Sequence, residues 1–437
     1  MTAREPLDVA AIGAGPFNLA LAALADGVPG LRIGVFEQRA EFRWHPGLMI
    51  EGSTLQVPFL ADLVTLVDPT SRWSFLNFLR ARGRLFPFYF AERFHVPRAE
   101  FDAYCRWVVD GLGSCRFSQR IRSVRWEPDD GLFVLDSGAR ARHVVLGIGT
   151  EPLLPAPLRD LPQVLHSADY LRHREALLAA EDVTVVGSGQ SGAEVFLDLL
   201  RRRPKGIRWL ARTPAFAPME YSKLGLEQFT PDYTAFFHAL PEKVRDALAP
   251  AQWQLYKGVS GETLGQIHDE LYERSVDGGW PDVTLMPGVA VTDARALHTG
   301  RVELTVQHVQ QGGTAVLETD AVVAATGYGE RPLDELLGPL AGRIGTDDAG
   351  RPAVDAHYRL DLGADVDGSI FVQNAERHTH GVGAPDLGLA GWRAAVILNA
   401  VCGREVYPLP ARTAFTTFGL PRDVPRGLPR EPPGGTT

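Results

Sequence analysis

The chain has 437 residues, 45% hydrophobic and 22% charged, with 45 glycines and 32 prolines, a composition that excludes collagen, coiled coil and wholesale disorder. At roughly 150 residues per domain the length allows two or three domains, and the formal net charge of -9 gives no field to draw in nucleic acid or an anionic membrane. The expected partners are small molecules. Cys105, Cys115 and Cys402 lack the spacings of a disulfide framework or zinc site, which points to a reducing, cytoplasmic setting. The uncharged run 9–25 is shorter than the ~20 residues a membrane span needs and is broken by Gly13, Gly15, Pro16 and Asn18.

Residues 8–12 predict a strand, Gly13-Ala14-Gly15-Pro16-Phe17-Asn18 a tight turn, and the Ala/Leu-rich stretch to Ala25 a helix; a second strand, 32–36, ends at Glu37. Such a unit seats a pyrophosphate on the helix N-terminus. Glu37 stands 22 positions after Gly15, near the ~20 expected of a carboxylate that accepts from ribose hydroxyls. A loop follows with Trp44-His45-Pro46-Gly47 and then Gln56; Trp44 suits buried packing, whereas His45 and Gln56 are polar residues where a cofactor would be touched. The apolar run 143–146 leads into Gly147-Ile148-Gly149.

The same grammar recurs at 183–186, followed by Gly187-Ser188-Gly189-Gln190-Ser191-Gly192, a helix over 193–202 and a strand over 207–210 that ends on Ala211-Arg212. Arg212 occupies the place that Glu37 holds in the first unit. An arginine there suits a 2′-phosphate and favours NADP over NAD. From 213 to about 282 the pattern is helical and aromatic, an insertion, and a further apolar strand runs into Thr326-Gly327-Tyr328, where glycine lets the backbone pass close to a ligand. His378-Thr379-His380 has no third ligand at metal spacing, so a turn or flavin-contacting loop is expected there and no metal. The segment 421–437 has the composition of a mobile tail.

The expected fold class is therefore α/β with two Rossmann-like dinucleotide-binding domains. Residues 1–150 and a return segment, 331–420, form the FAD domain; 151–330 form the NADPH domain, with the helical insertion at about 213–282. The absence of a redox cysteine pair disfavours a thiol-relay reductase. That leaves a flavin monooxygenase, with a catalytically silent dinucleotide-binding protein as the alternative from another class.

The motifs Gly13-Ala14-Gly15-Pro16-Phe17-Asn18-Leu19-Ala20, Trp44-His45-Pro46-Gly47, Leu55-Gln56-Val57-Pro58-Phe59-Leu60-Ala61-Asp62, Pro97-Arg98-Ala99-Glu100-Phe101, Ala325-Thr326-Gly327-Tyr328 and Gly381-Val382-Gly383-Ala384-Pro385-Asp386 resemble the flavin-dependent N-hydroxylating monooxygenases of siderophore biosynthesis. The resemblance implies that NADPH reduces FAD, that reduced flavin and O2 give a hydroperoxyflavin, and that a neutral primary amine attacks its distal oxygen. It places Gln56 at the flavin ring as the residue nearest the chemistry, and Trp44 and His45 along FAD. Ser188, Gln190, Ser191 and Arg212 fall at NADPH, Thr326, Gly327, Tyr328 and Asp386 at the cofactors, and a homo-oligomer is implied. In the amino-acid hydroxylases of that family a lysine that pairs with the substrate carboxylate stands where this chain has Ala61, and two asparagines align with Leu226 and Leu255. With no cation there the expected substrate is a short aliphatic diamine, cadaverine or putrescine. Glu220, Glu227 and Asp386 are candidates for the far ammonium. Lys223 or Lys257 could replace the missing cation, which keeps L-lysine or L-ornithine as the alternative. A Baeyer–Villiger ketone monooxygenase ranks lower, because its motif aligned on His166 meets Asp160, Pro162 and Tyr170 instead of Phe, Gly and Trp.

Overall fold

The computed structural model describes residues 5–203, 206–276 and 279–420; the expected tail lies outside the described residues. Strand Leu7–Ile12 buries Val9, Ala10 and Ala11 completely, as a central parallel strand covered on both faces must. It pairs in parallel with Ile33–Phe36 on one side and Arg140–Leu146 on the other. Arg140–Leu146 then takes Ser369–Val372 in parallel, so the last part of the chain completes the sheet that the first part opens. Cys115–Arg116 and the hairpin Val124–Glu127/Leu132–Leu135 bring this sheet to seven strands.

Val183–Val186 is the centre of a second sheet, five parallel strands with Ile207–Ala211 and Val283–Pro287 on one flank and Ala321–Ala324 and Val164–His166 on the other. These two sheets, the first parallel except for its antiparallel hairpin and the second all parallel, each with a strand–glycine–helix unit at its centre, are the fold class that the sequence predicts. Helix Pro16–Ala25 starts on a proline at its first turn and is buried along its whole length, where each large apolar side chain contributes about 1.5–3 kcal/mol. Helix Gln190–Arg202 is amphipathic and begins three residues earlier than the sequence suggests, so Gln190 and Ser191 belong to its first turn.

The insertion is helical from Lys223 to Ser275 among the described residues. A three-stranded antiparallel sheet, Val289–Ala296, Val302–His308 and Thr314–Thr319, was not expected; it stacks its alternating apolar face, with Val302, Leu304 and Val306, under the second domain. The chain crosses between domains twice, and the crossings Thr150–Pro152 and Tyr328–Glu330 pair antiparallel. Two contacts fasten the junction. Arg98 forks onto Glu194 at 2.7 and 2.8 Å, and Gly47 lies so close to the other domain that a Cβ there would sit 1.8 Å from the Ala168 carbonyl oxygen.

Candidate active site

In the first glycine turn, Gly13 has φ +92°, and a Cβ on it would lie 2.3 Å from the carbonyl oxygen of Gly147. Gly15, the N-cap of Pro16–Ala25, has ordinary extended backbone, and a Cβ on it would meet no protein atom within 4 Å. The two glycines therefore do different things: Gly13 lets two turns pack, and Gly15 leaves a cradle over the helix N-terminus that a side chain would fill. Glu37 closes one side. One of its oxygens accepts from Ala14 N at 2.9 Å and the other from Arg39 N at 2.9 Å, which fixes the carboxylate beside the cradle. Asn18 has a different role from the one expected. It is fully buried, its amide donates to the carbonyls of Ile12 and Gly13, and its oxygen accepts from Gln373 at 2.7 Å. It braces the turn from behind, and no sequence signal could have found Gln373, 355 residues away.

The second turn repeats the device. Gly187 has φ +136°, and its Cβ would lie 2.1 Å from Ala325 O; Gly189, the next N-cap, has nothing nearer than Lys257 O at 3.6 Å. Arg212 is exposed at the end of Ile207–Ala211 and makes no hydrogen bond or ion pair among the described residues. Gln190 departs from expectation, because its amide is engaged by protein: it donates to Glu194 and Thr263 and accepts from Ser260 N. It ties the helix to the insertion, whereas Ser188 and Ser191 stay at the mouth of the turn.

The loop after the first unit meets the crossing strand that carries Tyr328. Trp44, His45, Tyr328 and His166 form a chain of edge-on rings with centroids 5.0 to 6.2 Å apart, and Trp44 N donates to Asp102. His45 is a non-glycine residue with φ 44°, a conformation that costs of order 1–3 kcal/mol and clusters at functional sites. Its ring is open to solvent on one side yet crowded by protein on the others. That crowding, with Arg98 and Arg39 nearby, pushes its pKa down to about 4, so the imidazole is neutral at physiological pH. Residues 53–55 run antiparallel to 96–98, with Arg98 N donating to Ser53 O and Leu55 N to Val96 O, so Gln56 follows on opposite His95. The Gln56 amide nitrogen and the Tyr328 hydroxyl are both buried with no partner among the described residues. Burial raises Tyr328 to about 12, so it is a neutral donor. Thr326 and Gly327 are strapped to Leu153, and Gly327 O also meets His166; they hold the crossing strand that presents Tyr328. Arg98, to which the sequence reading gave no role, organises this wall, and the bidentate fork to Glu194 in the other domain is the reason.

The residues expected around the substrate separate. Ala61 is buried, and Asp386 is its neighbour: a Cβ on Gly388 would lie 2.8 Å from one Asp386 carboxylate oxygen and 3.8 Å from the Ala61 Cβ. That oxygen accepts from Gly388 N at 2.7 Å, and the Leu389 backbone N–H and the Arg393 charge also favour the anion. Burial raises the Asp386 pKa to about 6. Leu255 is buried against Tyr233, Phe237 and Val382, just before this loop, whereas Leu226 is partly exposed on Lys223–Leu226. Glu227 accepts from Phe415 and Thr416, which occupies both its oxygens, and Glu220 caps its own turn at Ser222 N and is exposed to solvent. Lys223 is exposed, and Lys257 lies at the second glycine turn with Arg212 and Arg377 as charged neighbours that, after burial, lower its pKa. His378 bonds Pro352 O and His380 stacks on Tyr358 at 4.3 Å. Among the described residues no group of three or more His, Cys, Asp or Glu could hold a metal ion, and no helix is long and apolar enough to cross a membrane.

Against known proteins, residues 5–330 match the family described as L-lysine 6-monooxygenase/L-ornithine 5-monooxygenase. The rhizobactin siderophore biosynthesis protein RhbE of Rhizobium meliloti is 44% identical over 95% of each chain. A putrescine N-hydroxylase of Shewanella oneidensis is 40% identical over 95% of this chain and 84% of its own. Among solved structures, the FAD-bound cadaverine monooxygenase DfoA of the desferrioxamine pathway from Erwinia amylovora superposes with TM-score 0.91 at 38% identity, covering 96% of this chain and all of that one.

Proposed function

We propose that this chain, which belongs to the L-lysine 6-monooxygenase/L-ornithine 5-monooxygenase family, uses FAD, NADPH and O2 to hydroxylate one terminal nitrogen of a short aliphatic diamine, cadaverine or putrescine, on the way to a hydroxamate siderophore. The cradle over Gly15, the fixed Glu37 carboxylate and the partnerless Gln56 amide fit FAD, and the free Arg212 beside the Gly187–Gly189 turn fits the 2′-phosphate of NADPH. Bound there, FAD would pass the electrons of NADPH to O2, whose one oxygen goes to the amine and the other to water. The protein's part is to keep water out and to present the amine with its lone pair free, because an alkylammonium near pKa ~10.4 is not a nucleophile. A neutral His45 and a neutral Tyr328 add no charge there, and the buried, partnerless Gln56 amide nitrogen is a donor that a flavin acceptor would satisfy.

The observation that carries the diamine reading is the carboxylate of Asp386 beside Ala61. At the place where the resembled amino-acid hydroxylases put a lysine against the substrate carboxylate, this chain has a methyl group and an anion. A second ammonium is stabilised there, and an α-carboxylate meets repulsion and no partner, at a cost of several kcal/mol. The test is kcat/KM for putrescine, cadaverine, ornithine and lysine on one preparation, read as hydroxylamine formed per NADPH consumed. A preference for either amino acid over both diamines rejects the assignment. FAD binding with no amine-dependent hydroxylamine from any of the four would leave a silent dinucleotide-binding protein.

A further inference from the structure

A charged pair lies inside the protein behind the Asp386 turn. Glu376 is 0% exposed and Arg393, the fourth residue of helix Ala390–Cys402, 1%. Arg393 Nη1 stands 3.0 Å from Glu376 Oε1, and the other Glu376 oxygen accepts from Ala375 N at 2.8 Å. Arg393 Nη2 donates to the carbonyls of Gly383 and Ala384 at 3.2 and 2.8 Å. Its guanidinium lies over the rings of Phe17 and Tyr358, 4.8 and 5.3 Å from their centroids. Phe17 is in the first turn of helix Pro16–Ala25, so one cation touches both the helix under the FAD cradle and the loop that leads to Asp386. Desolvation offsets most of the attraction in a pair this deep, and stability alone does not account for it.

Arg393 is a charged neighbour that favours the Asp386 anion, yet Asp386 is in no ion pair among the described residues. The three groups therefore stand in a row, Glu376 negative, Arg393 positive and Asp386 negative, with one negative charge in excess. Without Glu376 the row would be neutral, and an ammonium arriving at Asp386 would meet attraction and repulsion of similar size. We propose that Glu376 is a specificity-determining residue that acts through Arg393: by compensating that cation it leaves the Asp386 charge for the far ammonium of a diamine. This rests on the reading of Asp386 as the partner of that ammonium. The surrounding groups do not supply the same balance. Burial keeps Tyr358 and His380 neutral at physiological pH, with His238 and Arg245 beyond His380. Asp62, beside Ala61, accepts from the backbone of Val64, Thr65 and Phe75, and Glu330 has Arg377 and Arg351 as its own counter-charges.

The test is the ratio of kcat/KM for cadaverine to that for n-pentylamine, followed across pH on FAD-loaded protein. In wild type the ratio should drop as pH falls through the Asp386 pKa of about 6. Glu376→Gln keeps the shape and leaves Arg393 uncompensated, so the Asp386 anion is favoured more strongly and the midpoint should move down by about one unit or more. The ratio above the midpoint should fall about tenfold, the same unit read at the ammonium. Glu376→Asp keeps the charge and should keep the larger part of the ratio. Breaking a buried pair on one side is destabilising, whereas removing both partners is often tolerated, so Glu376→Gln/Arg393→Met carries the test if the single variant fails to load FAD. With both charges gone the excess negative charge returns, and the ratio should return toward that of wild type. Equal losses for the two amines with an unmoved midpoint, a ratio in the double variant as low as in the single one, or loss of FAD in both would each assign the pair to the fold and overturn the proposal. An unchanged ratio in Asp386→Asn would instead remove the reading of Asp386 itself, whatever Glu376 does.

Discussion

Replacing Asp386 by Asn tests the substrate assignment most directly, because it removes a charge and keeps the shape. The Asn oxygen can still accept from Gly388 N, the 2.7 Å bond that sets the turn, so the loop should hold its course. What is lost is the attraction between the carboxylate and the second ammonium. Truncating one partner of a desolvated charge pair costs about 2–5 kcal/mol. The site is still reached by solvent, so the low end applies, and about 2 kcal/mol is roughly thirtyfold in kcat/KM. The assay compares cadaverine with n-pentylamine, which has the same chain and no second charge. The diamine-to-monoamine ratio of kcat/KM should fall by about thirtyfold in Asp386→Asn, with the monoamine value nearly unmoved. The pH dependence carries the same signature. Burial raises the carboxyl to about 6, so the anion is present above that pH and is lost as pH falls through it. In wild type the ratio should therefore drop below pH 6, and in the Asn variant it should be flat. The reacting amine's own ionisation affects both substrates and cancels. Equal losses for diamine and monoamine would refute the reasoning, because they would mean that Asp386 supports the fold of the loop and not the far charge.

Arg212→Ala should raise the KM for NADPH roughly 10- to 100-fold, the equivalent of about 1.5–3 kcal/mol for a charge-assisted hydrogen bond, and leave that for NADH within about twofold; equal effects in initial-rate assays would remove Arg212 from the phosphate site. Gln56→Ala should keep FAD bound yet divert reducing equivalents to hydrogen peroxide, measured as peroxide per NADPH, and unchanged coupling to hydroxylamine would count against its place at the flavin. Gly15→Ala should leave the melting temperature of the FAD-free protein unchanged, since the backbone is ordinary and the methyl meets no protein atom, while FAD affinity drops at least about tenfold in a titration; a destabilised apoprotein with normal FAD affinity would show that the cradle is misassigned.

The two nucleotide units were legible because their signals are local. A buried strand, a glycine whose neighbours forbid a Cβ and, two residues on, a second glycine that caps a helix all fall within about 25 residues, so sequence spacing carries the geometry. Asn18 and Gln190 differ in that their protein partners are not local. Each sits in a motif position that faces the cofactor in the pattern, but its amide is engaged by residues distant in the chain, Gln373 for one and Ser260 and Thr263 for the other. The antiparallel sheet of 289–319 was missed because its strands alternate polar and apolar at half-exposed positions and are broken by Gly300 and Gly312–Gly313, which in sequence read like loops. Glu220 and Glu227 looked as suitable as Asp386 for holding an ammonium until their hydrogen bonds were placed.

Asp386 separates from them on a physical criterion and not on sequence pattern. A carboxylate that already accepts several protein hydrogen bonds has its lone pairs filled and its charge dispersed, as Glu227 has with Phe415 and Thr416. Asp386 accepts from Gly388 N and has Arg393 as a charged neighbour, yet burial still raises its pKa, so a further cation would stabilise the anion. Ala61 sharpens the point. A lysine in its place would stand beside Asp386 and pair with it, which would cancel the anion that recruits a second ammonium and add nothing for a carboxylate. On the proposed assignment the small side chain at Ala61 and the anion at Asp386 act together, and the sign of the charge there selects a diamine over an amino acid.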